Sequence, residues 1–360
     1  MTILFMTFVS QTKSYKKMKA CTAFYAILSV TTIALLSACT RQQQQNAVYY
    51  WRTTFKLDNT ERDFLKEHKI SRMYIRYFDV VPAGEQARIS HNLKIEPSAT
   101  IQFLDSIPRQ VEIVPVVFIT IESIRQISNE ETEYARRIVK RIKAISHKQG
   151  IDIDEIQLDC DWTAETQPIF FNLCRHVRKL LAKDSISLSS TIRLHQLTGD
   201  TPPVDRGVLM VYNTGAIKNI STQNSIFNPH DIMPYLKDGR LSRYPLPLDV
   251  AYPVYGWSVA FDPKGNFKRL IRQTNFSPQD NFKATGKNTY KVTSYCDLEG
   301  IYYNDVIRVE IPSYWDIERI KRIIEKQLFD KPHGNIIYHL DSKQVSKFSS
   351  HEIDQIYHLN

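Results

Sequence analysis

From Val48 onward the chain alternates short runs rich in apolar, aromatic and β-branched residues with amphipathic stretches at helical spacing. A helix that follows such a strand buries its apolar stripe against the sheet, so repeated strand-helix units point to parallel strands covered by helices. The strands are expected at residues 48–51, 72–78, 111–119, 155–160, 187–194, 207–212, 248–257 and 335–340. Val111 to Ile119 is almost wholly apolar, as befits a parallel strand covered on both faces. Helices are expected at 59–69, 131–149, 168–182, 230–237, 317–328 and 351–358; in the second of these Ile138, Val139, Ile142 and Ile145 share one face and Gly150 stops the helix. Eight strands with interleaved helices fit an α/β fold, a (β/α)8 TIM barrel. An open doubly wound sheet would carry a glycine-rich first turn, which this sequence lacks. An insertion of about 55 residues, 258–313, separates the seventh strand from its helix and is expected to decorate the catalytic face or form a small subdomain.

The composition agrees with such a core. Of 360 residues, 42% are hydrophobic and 11% aromatic, too many for a disordered chain, and five cysteines are too few for a disulfide-stapled one. A mean hydropathy of −0.33 excludes a polytopic membrane protein.

The amino terminus carries an address. Lys16, Lys17 and Lys19 precede an uncharged apolar run from Ala20 to Leu36 that ends in Leu36-Ser37-Ala38-Cys39. A basic head, a short apolar middle and small residues before a cut describe a signal peptide. The tetrapeptide resembles the bacterial lipobox, which implies that Cys39 receives a diacylglycerol and becomes the first residue after cleavage behind Ala38. Translation from Met18 would leave a compact signal of ordinary proportions. Residues 1–38 are therefore read as a lipoprotein signal peptide, 39–47 as a lipidated polar tether and 48–360 as the barrel. The body is expected outside the cytoplasm, anchored through the lipid on Cys39 to the bacterial cell envelope at the outer membrane. Residues 1–38 hold four lysines and no acid, so the charge falls from +9 to a mild +5 in the remainder. No basic stripe or nucleic-acid module is present. Cys160, Cys174 and Cys296 stand in no CxxC or Cys/His spacing and are read as buried thiols. No HxH, HExxH, Walker or dinucleotide motif occurs, so neither a metal nor another cofactor is expected.

In a barrel, chemistry sits at the carboxyl ends of the strands. There the fourth strand offers Gln157-Leu158-Asp159-Cys160-Asp161-Trp162-Thr163. Aspartates two apart on a strand share a side, and coupled carboxylates suit general acid/base work because each perturbs the other's proton affinity. Asp159 and Asp161 are the candidate catalytic pair, with Glu165 as an acid if its loop turns inward. Trp162, Tyr212, Asn213, Tyr252, Tyr255 and Trp257 are candidate sugar contacts, because aromatic faces stack on the C–H faces of sugars. Arg76, Asp79 and Arg193 are candidate hydroxyl ligands. Arg52, His195, Asp341 and, in the insertion, Glu310 are remoter candidates.

The segment Asp159-Cys160-Asp161-Trp162 resembles the fourth-strand Asp-x-Asp-x-Glu signature of family 18 chitinase-like glycoside hydrolases, and Met210-Val211-Tyr212-Asn213 resembles their sixth-strand Met-x-Tyr-Asp. The resemblance implies a glycoside-hydrolase-like barrel and a carbohydrate ligand. Thr163 stands where that family carries the glutamate that protonates the glycosidic oxygen, Asn213 replaces the aspartate, and the family's third-strand Ser-x-Gly-Gly is missing. The whole chain is also similar to a family of barrel lipoproteins of Bacteroidetes-type bacteria, which share Tyr-Tyr-Trp-Arg-Thr and Gln-Leu-Asp-x-Asp-Trp; that likeness implies no activity. Three functions follow as expectations: a tethered glycoside hydrolase, a glycan-binding pseudo-enzyme that kept the groove and lost the acid, or an envelope scaffold without a ligand.

Overall fold

The computed structural model describes residues 45–271, 281–296 and 298–359; Cys39 and the residues assigned to the signal lie outside them. Eight parallel strands pair in chain order: β1 (Asn46–Tyr50), β2 (Ile70–Pro82), β3 (Glu112–Ile119), β4 (Glu155–Cys160), β5 (Ser187–Arg193), β6 (Arg206–Met210), β7 (Leu248–Pro253) and β8 (Asn335–Tyr338). Pairing of β8 with both β7 and β1 closes the sheet into a (β/α)8 barrel.

Two boundaries differ from the sequence reading. Asn46 and Ala47, assigned to the tether, are the first residues of β1; Asn46 is polar but buried, and its side-chain amide donates to the His68 carbonyl at 2.8 Å. The expected strand 248–257 ends at Pro253, and a separate strand starts at Trp257. The chain turns between them at Gly256, where a Cβ would lie 2.7 Å from the Glu310 carbonyl oxygen, so only glycine admits the close approach.

The described residues of the insertion form an antiparallel sheet of five strands in the spatial order Phe267–Ile271, Trp257–Phe261, Val306–Glu310, Thr289–Val292 and Phe282–Ala284. Its anchor to the barrel is a set of hydrogen bonds from one buried guanidinium. Buried Arg308 donates to Glu310 at 2.6 Å and to the carbonyls of Ile217 at 3.0 Å and Asn219 at 2.6 Å, tying the sheet to the loop after β6.

The helices form where periodicity and caps coincide. Asn59–Glu67 starts with a capping box between Asp58 and Glu61, Glu131–Gln149 ends on Gly150 at φ 63°, and Ser350–Tyr357 starts with a Ser349/Glu352 box. The amino ends of the strands are closed by Arg72 with Glu112 and Glu155, and by Arg206 with Asp249. Inside the barrel the Tyr49 hydroxyl donates to Gln157 at 2.6 Å, Gln157 reaches Ser189 at 3.3 Å, and Tyr49 stacks on Tyr74. This lumen is aromatic and polar, and the apolar core lies between the barrel and its helices.

Candidate functional site

The mouth of the barrel is organised around Arg193, the last residue of β5. Its Nη2 meets Asp159 Oδ1 at 3.2 Å and its Nε donates to Asp161 Oδ1 at 2.7 Å. Asp159 is the inward-facing penultimate residue of β4, buried, and also accepts from the Thr191 hydroxyl at 2.6 Å. Asp161 lies one residue beyond the strand and is half exposed. Burial raises the proton affinity of Asp159, Arg193 and Thr191 oppose it, and Asp161 and Asp79 add to the rise. Burial also works against the charge on Arg193, but the two aspartates outweigh it and hold the guanidinium protonated. One cation therefore contacts both carboxylates through charge-assisted hydrogen bonds.

Beside this clamp the aromatic residues form a continuous floor. Tyr338 packs on Tyr212 at a ring distance of 4.7 Å, on Tyr49 at 5.4 Å, on Tyr255 at 5.5 Å and on Trp51 at 5.7 Å; Trp257 stands edge-on to Tyr255 at 5.4 Å. Tyr212 and Tyr255 are buried, whereas Trp51, Trp257 and Tyr338 are partly open to solvent. Asn213, at φ 55°, accepts from the Tyr255 hydroxyl at 2.6 Å, so the residue in the family's aspartate position orients a floor ring. Arg76 pairs with Asp79, its guanidinium 5.6 Å from the Trp51 ring. An adjoining cleft of about 650 Å³ is lined by Trp51, Arg52, Lys56, Asp58 and Arg76.

Asp159, Asp161, Arg193, Tyr212, Asn213, Tyr255, Trp257, Arg76 and Asp79 thus gather at the mouth as expected from their positions at strand ends. Three candidates do not. Trp162 is buried under the helix Gln167–Leu181, stacked on Phe170 at 4.9 Å and 14°, so it is core and cannot be a sugar platform. Tyr252 points outward from β7 and is buried beneath the helix Tyr314–Gln327, 5.6 Å from Lys321 Nζ. Glu165 faces solvent, 69% exposed, and pairs with Arg125 at 3.0 Å, which holds its carboxyl below the ordinary range. It does not replace the missing acid.

Thr163 is occupied by its own chain: its amide donates to Thr166 Oγ1 at 2.9 Å at the start of the following helix. Of the remoter candidates, Glu310 is saturated by Arg308, Ser225 and the Trp257 indole, Arg52 pairs with buried Glu61, Asp341 caps a short helix, and His195 is exposed in a short 3-10 turn. Cys160, Cys174 and Cys296 are buried free thiols.

The site residues that the sequence reading passed over are Tyr49, Trp51, Thr191 and Tyr338. The signal for Trp51 was the parity of Tyr49-Tyr50-Trp51, since alternate residues of a strand face one side and Tyr49 lines the lumen.

No family model and no curated protein matches the sequence. Solved structures do match it. A chitinase from Chromobacterium violaceum superposes with a TM-score of 0.53 at 10% identity, over 87% of this chain and 98% of that one. The class V chitinase from Nicotiana tobaccum gives 0.51 at 10% identity, over 88% and 99%. The fold is the (β/α)8 barrel that these chitinases have. The Bacillus cereus spore cortex-lytic enzyme SleL also matches, with a TM-score of 0.50 at 15% identity over 86% of this chain and 74% of that one. At these identities the likeness is one of architecture, and the site must be argued from its own residues.

Proposed function

We propose that the protein is a glycan-binding barrel that has kept the carbohydrate groove of its architecture and lost hydrolysis. The observation that carries this reading is the Arg193 clamp: Asp159 and Asp161 each give Oδ1 to one guanidinium. Hydrolysis of a glycosidic bond needs a carboxylic acid placed to protonate the leaving oxygen, and Thr163 has a hydroxyl whose proton is too tightly held for that work near neutral pH. The aromatic floor supports binding, because partly exposed indole and phenol rings supply stacking faces while Arg76, Asp79 and Asp161 supply hydroxyl partners. The class V chitinase of similar fold was solved in complex with NAG4, which makes an N-acetylhexosamine chain the first ligand to try.

Binding of such oligosaccharides by the purified full chain, followed by calorimetry with hydrolysis assayed in parallel, is the direct test. Wild type is expected to bind without turnover, and Trp51→Ala to weaken binding about tenfold, the order expected for one lost stacking face. Turnover by wild type that Asp161→Asn abolishes would replace this reading with a hydrolase using a variant acid. An absence of binding to any glycan would leave the scaffold reading.

We propose further that the barrel is a lipoprotein anchored through Cys39 to the cell envelope, with its body outside the cytoplasm and residues 1–38 removed. The Leu-Ser-Ala-Cys sequence behind an apolar run supports this. Metabolic labelling with a palmitate analogue in a bacterial host is expected to tag the wild-type chain in the membrane fraction, and Cys39→Ser is expected to abolish the label. A label that persists in Cys39→Ser would refute the assignment.

A further inference from the structure

We propose a second carbohydrate site, on the rim of the mouth face between the helices Tyr314–Gln327 and Ser350–Tyr357, that takes chains of uncharged or amino sugars and excludes uronates. The location follows from topology. Both helices follow strand ends, the first after the insertion and the second after β8, so in a βα barrel their first turns stand on the carboxyl-end face. A cleft of about 600 Å³ opens there, lined by Tyr314, Trp315, Glu318, Ser349, His351 and Glu352.

Its chief feature is Trp315, which is 72% exposed in the first turn of its helix. The Tyr314 ring stands edge-on to it, 5.1 Å away at 62°, so the two rings form a corner with one open indole face. Exposing so large an apolar ring forgoes the stabilisation that burial would give, and a helix start needs no tryptophan. Stacking on the C–H face of a sugar recovers that surface while leaving the hydroxyls free for polar partners.

The polar partners set the ligand class. Glu318 is held by Arg322, and Glu352 by the Ser349 amide at 2.7 Å and hydroxyl at 2.9 Å, so both carboxylates are fixed in place. Carboxylates accept hydrogen bonds from hydroxyls and amines. The cleft lining carries two carboxylates, Glu318 and Glu352, against the single Arg322 that pairs with Glu318, so an anionic sugar would meet an excess of negative charge. The site does not depend on the mouth being occupied, although a chain leaving the mouth over this rim would gain avidity from both.

Affinity electrophoresis of the full chain through glycol chitin, glycol chitosan and polygalacturonate tests the inference. Wild type is expected to be retarded by the first two polymers and not by the third. Trp315→Ala is expected to raise the apparent dissociation constant about tenfold, with circular dichroism unchanged, and Trp315→Phe to restore most of the affinity. Retardation insensitive to Trp315→Ala, equal retardation in polygalacturonate, or no retardation of wild type in either of the first two gels would overturn it. Trp51→Ala separates this site from the mouth. If tetrasaccharide binding fails altogether but polymer retardation still depends on Trp315, the rim site stands and the mouth reading falls.

Discussion

Glu325→Gln is expected to lower the free energy of unfolding by about 3 kcal/mol, the order found when one member of a largely buried ion pair is removed. Lys321 is 1% exposed beneath the barrel wall, and its only ionic partner among the described residues is Glu325, itself 28% exposed. Glu325 also accepts from His333 at 2.9 Å and from Asn335 Nδ2 at 3.1 Å, so one carboxylate ties the helix Tyr314–Gln327 to the start of β8. Burial pushes the Lys321 ammonium toward its neutral form, and only Glu325 opposes this. Removing the carboxylate leaves a cation in a low-dielectric site that must either lose its proton or draw in water.

The pH dependence has a definite sign. Burial raises the proton affinity of Glu325, but His333 and Lys321 outweigh it and hold the group down at about 2, below its ordinary 4.5. Its stabilisation is complete above about pH 4.5 and lost as pH falls toward 2. Discounted for the exposed part of the carboxylate, the loss is about 2 kcal/mol. Burial acts to lower His333, yet Glu325 and the Lys331 carbonyl raise it above 6.5, so its share is complete below that pH and lost as pH rises through the raised value. Urea unfolding followed from pH 3 to 8 should show both limbs in wild type and both reduced in Glu325→Gln, the acid limb to what the other carboxylates contribute and the alkaline limb to what the Lys331 carbonyl sustains. Two limbs of undiminished size in the variant would place the titrating groups elsewhere.

The eight strands were legible because each is a short run rich in apolar, aromatic or β-branched residues and amphipathic helices separate most of them, and both features are local. The boundaries were less so. Asn46 is polar and satisfied by the distant His68 carbonyl, and Tyr-Gly-Trp after Pro253 continues the apolar run although the chain leaves the barrel there. At the site, sequence placed Asp159, Arg193 and Tyr212 at strand ends but could not show that Arg193 spans both aspartates, because that depends on the register of β4 against β5. Trp162 and Tyr252 were misplaced for a related reason. Parity along a strand tells which residues share a side, but when both sides are apolar it does not tell which side is inward; past the strand end parity fails, and Trp162 turns under Phe170. Glu165 faces outward and pairs there with Arg125, in the last turn of the helix Ile121–Gln126, a partner 40 residues away that local sequence does not reveal.

Arg193→Met is expected to be the costliest change at the mouth, about 3–5 kcal/mol at neutral pH, because it strands buried Asp159 without its cation. Asp159 already binds its proton more tightly in the fold than in water. A carboxyl with a raised folded value destabilises progressively as pH rises past its unfolded value of about 4, and loss of Arg193 enlarges the rise. The deficit of Arg193→Met relative to wild type should therefore be small at pH 4 and large at pH 7 in chemical denaturation. Adding Asp159→Asn should recover most of it, since an amide oxygen can still accept from Thr191. The double variant also isolates the role of Asp161, which loses its anchor on Arg193 Nε while the fold is restored. If a fixed Asp161 is part of the glycan rim, the double variant should fold and bind about tenfold more weakly, the order of one charge-assisted hydrogen bond. A deficit equal at both pH values, or one that Asp159→Asn fails to relieve, would mean that Arg193 acts through packing and that the clamp does not set the charge state of the mouth.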